Sequence, residues 1–216
     1  MKILAVNGSY HKEGVNSTLI DRAIEGLKTV IPDAEIEKIF LAEKNIEYCR
    51  GCLVCRNDDP AKPVARCVID DDMTEISRKL EEADGYIFAT PIFMGTVTAV
   101  MKTFCERYCW TLSKPGRWPL KGCPSPRSSR KKAIILMMST AMIPPILRRF
   151  CDDASKFFKE NVSCILNAKI AGILYAGSIG WDRKDPQRYL GKAEKLGKKL
   201  GRRLIRRSNN RVAAHL

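Results

Sequence analysis

Four cysteines in one stretch pose the first chemical question. Within EYCRGCLVCRNDDPAKPVARCVIDDDM, residues 47–73, Cys49, Cys52 and Cys55 recur at every third position, and Cys67 follows after a polar loop. A C-x2-C-x2-C run brings three thiolates together on a tight loop without strain, and an iron–sulfur cluster needs four thiolates converging on one small object. Zinc also accepts four thiolates, although zinc ribbons use two separated C-x2-C knuckles. The competing reading is a loop that is only rich in thiols. Eleven residues separate Cys55 from Cys67, which is a long final gap.

Two further stretches carry polar groups at telling positions. In NGSYHKEGVNSTLIDRAIEGL, a Gly-Ser turn precedes Asn16, Ser17 and Thr18, which fall where a helix begins. Backbone N–H groups, hydroxyls and a helix dipole then face one anion. The stretch has neither the Gly-Lys-Ser/Thr of a triphosphate loop nor a G-x-G-x-x-G, so a monophosphate is the natural guest. The plainer alternative is that Gly8 shapes a turn and Asn16 or Ser17 caps a helix. In ATPIFMGTVTAVMKTFCERY, Pro91 ends an apolar run, and Phe93, Met94 and Gly95 offer apolar contact and free backbone amides, as a flat heterocycle with polar edges requires. The acids of DDDM at 70–73 suggest paired carboxylates or a magnesium site, but capping and the helix dipole account for them.

The elements that must position these residues alternate. KILAVNG at 2–8 reads as a buried parallel strand entering a turn. A helix follows from about Asn16, with Leu19, Ile20, Ala23, Ile24, Leu27 and Val30 at helical spacing and Pro32 beyond its end. Residues 34–42 alternate as a second strand, and 70–84 form a helix with Met73, Ile76 and Leu80 on one face. GYIFATP at 85–91 is a third strand and 96–110 a third helix. A long loop with prolines at 115, 119, 124 and 126 then leads to a fourth strand, KAIILMMST. A helix over about 145–160, a strand over 165–176 and a helix from about Pro186 complete the series. Such alternation implies a parallel sheet covered on both faces. Five units fit an α/β, flavodoxin-like three-layer sandwich with strand order 2-1-3-4-5, whose ligand crevice lies at the carboxyl ends of the strands. No repeat or domain break interrupts residues 1–216, so one domain is expected.

GSYHKEGVNST, CRGCLVC, CVIDDDM, ADGYIFATPIFMGTVTAVMKTFCER and the strand-end MMST together resemble the NADPH-dependent FMN reductase family and its iron–sulfur flavoprotein relatives, over about residues 1–180. The resemblance implies noncovalent FMN, with NAD(P)H as the reductant. By position, Ser9, Asn16, Ser17 and Thr18 would hold the phosphate, with His11 or Lys12 adding charge. His11 is equally well read as an exposed loop histidine. Pro91, Ile92, Phe93, Met94 and Gly95 would border the isoalloxazine, and Thr140 would reach it from the third loop. Relatives usually carry Tyr where Phe93 stands, and STAMIPP lacks the glycines common after strand four. In the iron–sulfur flavoproteins a compact cysteine motif holds a [4Fe-4S] cluster, which here would use Cys49, Cys52, Cys55 and Cys67.

Two activities follow from the resemblance. One is an FMN-dependent NAD(P)H oxidoreductase that passes hydride to FMN and on to a quinone, flavin or similar acceptor, with no side-chain acid or base required. The other is an electron carrier that takes electrons from a ferredoxin-like protein through a cluster. Relatives usually pair so that a neighbouring subunit encloses the flavin, so a homodimer or homotetramer is expected.

Charge and composition narrow the partners. The net charge of +14 is concentrated in 114–132, which carry seven Lys or Arg and no acid, and in 182–216, with twelve basic and three acidic residues. The first of these segments suits the 2′-phosphate of NADPH or an acidic redox partner. In the second, Leu190, Ala193, Leu196, Leu200 and Leu204 describe a docked helix with a solvated cationic face. Contact with a nucleic acid or an anionic membrane through this clustered charge is the alternative reading, but no recognition motif for specific nucleic-acid binding accompanies it. No apolar run nears the roughly 20 residues of a membrane span, and the start lacks the layout of a signal peptide, so a cytoplasmic location is expected. Nine cysteines there are reduced thiols or metal ligands rather than disulfides. Cys105, Cys109, Cys151 and Cys164 read as packing residues, and Cys123 has no assignment.

Overall fold

The computed structural model describes residues 1–114, 124–180 and 186–213; the expectations for the centre of the basic insertion, Cys123 included, lie outside these residues. In chain order the elements are β1 (Lys2–Asn7), α1 (Val15–Lys28), β2 (Glu35–Phe40), α2 (Met73–Glu82), β3 (Gly85–Pro91), α3 (Ala99–Thr111), the short pair β4 (Ser113–Lys114) and β5 (Ser125–Pro126), β6 (Lys132–Ser139), α4 (Arg148–Cys151), α5 (Asp153–Phe157), α6 (Ser163–Ile165), β7 (Ala168–Ala176) and α7 (Gln187–Ala213). Five strands form one sheet in the order β2-β1-β3-β6-β7, every neighbouring pair parallel. This is the expected 2-1-3-4-5 arrangement.

The period-2 alternation of each strand divides the core. Leu4, Val6, Tyr86, Phe88, Ile134, Leu136 and Met138 join Met73, Ile76 and Leu80 of α2 and Met101, Phe104 and Tyr108 of α3. Ile3, Ala5, Ile87, Ala89, Ala133, Ile135 and Met137 join the apolar stripes of α1 and α7 on the other face. Small side chains on that second face let the two helices approach closely. A Cβ on Gly197 of α7 would lie 1.8 Å from the Ala23 carbonyl oxygen, and one on Gly26 of α1 would lie 2.1 Å from that of Glu194. The crossing is therefore backbone on backbone.

Two expected helices differ in the structure. The helix expected over 145–160 is broken into a 3-10 turn at Pro145–Leu147, α4, α5 and a π-helical turn at Phe158–Val162. Pro144 and Pro145 lack N–H donors, and Asp152 leaves the helical region at φ −123°, ψ 66°. Its carboxylate accepts from Ser155 N at 2.8 Å, which starts a new helix instead of continuing the old one. This also delays the last strand to Ala168. In α2, Asp72 occupies the N-cap but makes no side-chain cap bond; its carboxylate accepts instead from Asn45 N at 2.8 Å. α3 starts at Ala99, capped by Thr98, whose hydroxyl accepts from Met101 N at 3.3 Å.

The α1–α7 crossing yields a paired test. Gly→Ala inside a helix gains about 1 kcal/mol of propensity, whereas overpacking costs about 1–3 kcal/mol. Backbone atoms cannot rotate out of the way at Gly197, so Gly197→Ala should lower the denaturant midpoint. Gly191, whose added Cβ would meet nothing within 4 Å, should become neutral or slightly stabilising as Gly191→Ala.

Candidate functional site

The strand order reverses between β1 and β3, so the loops leaving these strands diverge and open a crevice at their carboxyl ends. The turn after β1 is clamped between strands: Gly8 N donates to Ala89 O at 2.8 Å, and Thr98 Oγ1 donates to Gly8 O at 2.6 Å. A Cβ on Gly8 would sit 2.8 Å from Met101 Cε. Loop 7–17 then closes on its own side chains. Asn7 accepts from Ser9 N at 2.9 Å and donates to Ser17 Oγ at 2.8 Å, Ser9 Oγ accepts from His11 N at 3.1 Å, and Ser17 Oγ donates to Lys12 O.

The result is a cleft of about 670 Å³. Of the residues expected at a phosphate, Ser9, His11 and Asn16 line it. Ser17 and Thr18 stand behind its wall, Ser17 held by Asn7 and Lys12 and Thr18 donating to Gly14 O at 3.2 Å. Lys12 is exposed and pairs with Glu43 at 2.6 Å. Helix α1 opens at Gly14 with no side-chain cap. Beside it Asn16 is buried, and its Oδ1 has no hydrogen-bond partner among the described residues. This end of the cleft is polar and unsatisfied.

The other end is apolar. Pro91, Ile92, Phe93, Met94 and Gly95 all line the cleft, together with Thr140 from the third loop. Phe93 and Thr96 exchange backbone hydrogen bonds of 3.0 Å each, and this tight turn holds Met94 at φ +50° and Gly95 at φ +81°. Met94 is wholly exposed at 100%. Thr140 is fixed by its N–H to Ala176 O at 2.9 Å and by accepting from Ile179 N at 3.3 Å. Sequence reasoning missed several wall residues. Tyr10 stacks on Phe93 with centroids 6.0 Å apart and planes at 27°. Phe150, Cys151 and Asp153 enter from the broken helix, and Asp153 N donates to Gly95 O at 2.9 Å. Tyr10 sat inside a recognised loop; the other three were concealed by the expectation of an unbroken helix. Such a cleft can take a ligand with an anionic end and a flat, mostly apolar body.

The four loop cysteines occupy one neighbourhood without forming a cradle. Among the described residues no group of three or more His, Cys, Asp or Glu is placed to hold a metal ion. Burial, followed by the nearby thiol of Cys67, pushes the Cys55 thiol up from its ordinary value. Cys105 is buried, and Cys109 and Cys151 are half-buried free thiols. Cys164 departs from the expectation of reduced thiols, because it is disulfide-bonded.

Two buried arginines seat the cysteine loop. Arg107 of α3 donates to both carboxylate oxygens of Asp71, to Glu47 O at 2.7 Å and to Cys67 Sγ at 3.7 Å. Asp71 also accepts from Glu47 N at 2.9 Å and Met73 N at 3.0 Å. The DDDM acids therefore do more than cap: Asp71 anchors the loop through a buried ion pair. Burial alone would raise its pKa, but the Arg107 guanidinium and the two N–H groups outweigh it and hold the carboxyl below its ordinary value. Arg127, from the basic insertion, donates to Ser113 O at 3.1 Å, Asp59 O at 2.7 Å and Cys55 O at 3.0 Å. Its neighbours also turn inward. Arg130 pairs with Asp84 at 2.7 Å. Lys132 donates to Leu80 O and Glu81 O, and burial pushes its ammonium down to about 8.

Residues 1–141 match the family model for NADPH-dependent FMN reductase, and the chain belongs to that family. An iron–sulfur flavoprotein of Archaeoglobus fulgidus is 40% identical over 107 residues, covering 50% of this chain and 45% of that protein. One from Methanocaldococcus jannaschii is 37% identical over 108 residues, covering 50% of this chain and 51% of that one. The match thus spans about half the length of these relatives. Among solved structures, an FMN-dependent NADH-azoreductase of Bacillus anthracis in complex with FMN superposes with a TM-score of 0.66 at 15% identity, covering 94% of this chain and 98% of that one, a likeness of fold.

Two measurements check the loop anchors. Asp71→Asn leaves Arg107 buried without its counter-charge, so stability should fall by about 3–5 kcal/mol. The depressed Asp71 pKa means the wild-type advantage is full above about pH 4 and drains as pH falls through the folded value. Denaturant midpoints of wild type and variant should accordingly converge in acid. For Arg127→Lys, hydrogen exchange should quicken over residues 55–62 while the sheet amides keep their protection, because an ammonium cannot reach carbonyls on both sides.

Proposed function

We propose that the chain is an FMN-dependent NAD(P)H oxidoreductase that passes hydride to FMN and on to a quinone, flavin or similar acceptor. The observation that carries this reading is the cleft in which an uncapped helix start, whose N–H groups suit a phosphate, meets an apolar floor, with Asn16 Oδ1 between them free to accept from a ligand hydroxyl. The residues fit FMN. Ser9, His11 and Asn16, with the first turn of α1, would take the phosphate. Pro91 to Gly95 and Thr140 would border the ring, with Tyr10 and Phe93 at its rim. Bound FMN would supply hydride acceptance and release, which no side chain here can perform. The protein's own part is to place the ring, shield it with Ile92 and Phe93 and leave one face open to a nicotinamide. No catalytic acid or base is assigned.

A second reading, a cluster-bearing electron carrier served by a ferredoxin-like partner, is favoured by the name of the iron–sulfur flavoprotein relatives and by the four thiols in one neighbourhood. The thiols as placed do not converge, so no step is routed through a cluster. No described helix is long and apolar enough to cross a membrane. The exposed apolar rim of Tyr10, Phe93, Met94 and Phe150 suits the expected pairing of subunits over the cleft.

Anaerobically purified protein should contain about one FMN per chain, bleached by NADPH or NADH. Iron and acid-labile sulfide near four per chain, lost in Cys67→Ser, would establish the carrier instead. Asn16→Asp sets a carboxylate beside the phosphate, so FMN affinity should drop at least about tenfold, roughly 1.4 kcal/mol. Riboflavin, which has no phosphate, should bind the variant nearly as well as wild type; equal losses for both ligands would remove Asn16 from the phosphate site.

A further inference from the structure

At the amino-terminal end of the sheet, away from the cleft, lies a groove of about 700 Å³ between α7 and the edge strand β7. Lys199, Arg202, Arg203, Arg206 and Arg207 line it from α7, and Lys169 lines it from β7. An adjoining depression shares Lys169 and Arg207 and adds Lys131. Among the described residues no carboxylate lines either one. Among the described residues, Lys131, Lys169, Lys199, Arg202, Arg203 and Arg206 enter no ion pair. By contrast Lys198, one residue away on the same helix, pairs with Glu194 at 2.6 Å. Such a concentration of like charge works against folding, and these six cations have no carboxylate partner among the described residues.

We propose that this groove binds the phosphate backbone of a nucleic acid without reading its sequence. The cations on α7 come round in steps of three and four residues, forming rungs about 5 Å apart along the helix axis. A ladder of this kind suits a ligand whose charges repeat along a chain more than it suits a lone anion. Most of the lining cations are arginines, whose planar fork engages phosphate oxygens in pairs. Among the described residues no aromatic ring lines the groove or the depression, so stacking of bases is not called on and sequence specificity is not expected. Other anionic surfaces fit less well. A protein interface needs an apolar centre, which the groove lacks. A membrane surface needs an insertable apolar face, but Ala193, Leu200 and Leu204 of α7 are buried on the sheet.

The test uses the full chain with its cofactor and fluorescence anisotropy of labelled 20-nucleotide single strands of two unrelated sequences. Both should bind alike, with log affinity falling by about 0.7 per log salt for each phosphate contacted. The exposed-residue variant Lys169→Gln/Arg202→Gln/Arg206→Gln should bind at least about tenfold more weakly at 0.1 M salt, with a slope shallower by about 2. A control of equal charge loss elsewhere, Lys28→Gln/Lys44→Gln/Arg66→Gln, should bind nearly as wild type. NADPH oxidation should be unchanged in the groove variant, which separates failure here from failure of the reductase reading. Equal losses in both variants would overturn the groove as the site, as would wild-type binding absent at 0.1 M salt. Tighter capture of polyglutamate, phosphatidylserine vesicles or inorganic polyphosphate than of the oligonucleotides would overturn nucleic acid as the occupant.

Discussion

Every strand of the sheet runs the same way, and most of what this protein can do follows from that one constraint. Parallel pairing places the carboxyl ends of β1, β3, β6 and β7 along a single edge, so four loops of unrelated sequence must meet there. The strand reversal between β1 and β3 keeps two of these loops apart, and the cleft occupies the gap. The same polarity sends the returns from the helices to the amino-terminal edge, the long connection between α3 and β6 among them. There α7, after crossing α1 backbone to backbone, presents its cationic side beside β7. β7 spans nine residues, or about 30 Å at 3.3 Å per residue, and this length holds the cleft and the basic groove apart.

The two arginines of the cysteine loop follow another rule. A long irregular segment exposes many carbonyl oxygens, and those turned inward need donors. Arg127 supplies a fork that reaches Asp59 and Cys55 together, which no neutral side chain could do. Arg107 has Asp71 as counter-charge and gains the Glu47 carbonyl and the Cys67 sulfur as further partners. Part of the basic insertion is therefore internal scaffolding, and its charge is not free for a nucleotide or a redox partner. Cys55 and Cys67 are thus held by residues far away in sequence.

That distance explains what the sequence hid. Elements governed by local periodicity were legible: the stripe from Leu19 to Leu27 is buried on the sheet, and the apolar runs at 2–8, 85–91 and 132–140 became its strands. The lining of the cleft was legible where it lay in one stretch, as with Ser9, His11 and Asn16, or Pro91 to Gly95. The partition within a stretch was not. Ser17 carries the same hydroxyl as Ser9, yet helical geometry turns it to Asn7 and Lys12 and away from the cleft. Arg107 looked like one more charge on an amphipathic helix, and its buried pairing with Asp71 across 36 residues left no periodic trace. The break at Asp152 depended on a capping carboxylate inside an apolar pattern that otherwise suggested one helix.

One unsatisfied acceptor and one strained residue lie at the cleft, and both bear on what it can bind. A buried acceptor such as Asn16 Oδ1 costs about 1–3 kcal/mol when left unpaired. Met94, held at positive φ, adds strain of about 1–3 kcal/mol. Neither would persist if the fold could relax around it. The Gly8 clamp and the Phe93–Thr96 turn prevent that: one is tied to β3 and α3, and the other to α5 through Gly95 and Asp153. A ligand that donated to Asn16 Oδ1 and covered the exposed rings would offset both costs, so part of the cleft's affinity is built into the fold. At the basic groove the same logic is electrostatic, because an anion bound there would offset the mutual repulsion of its cations.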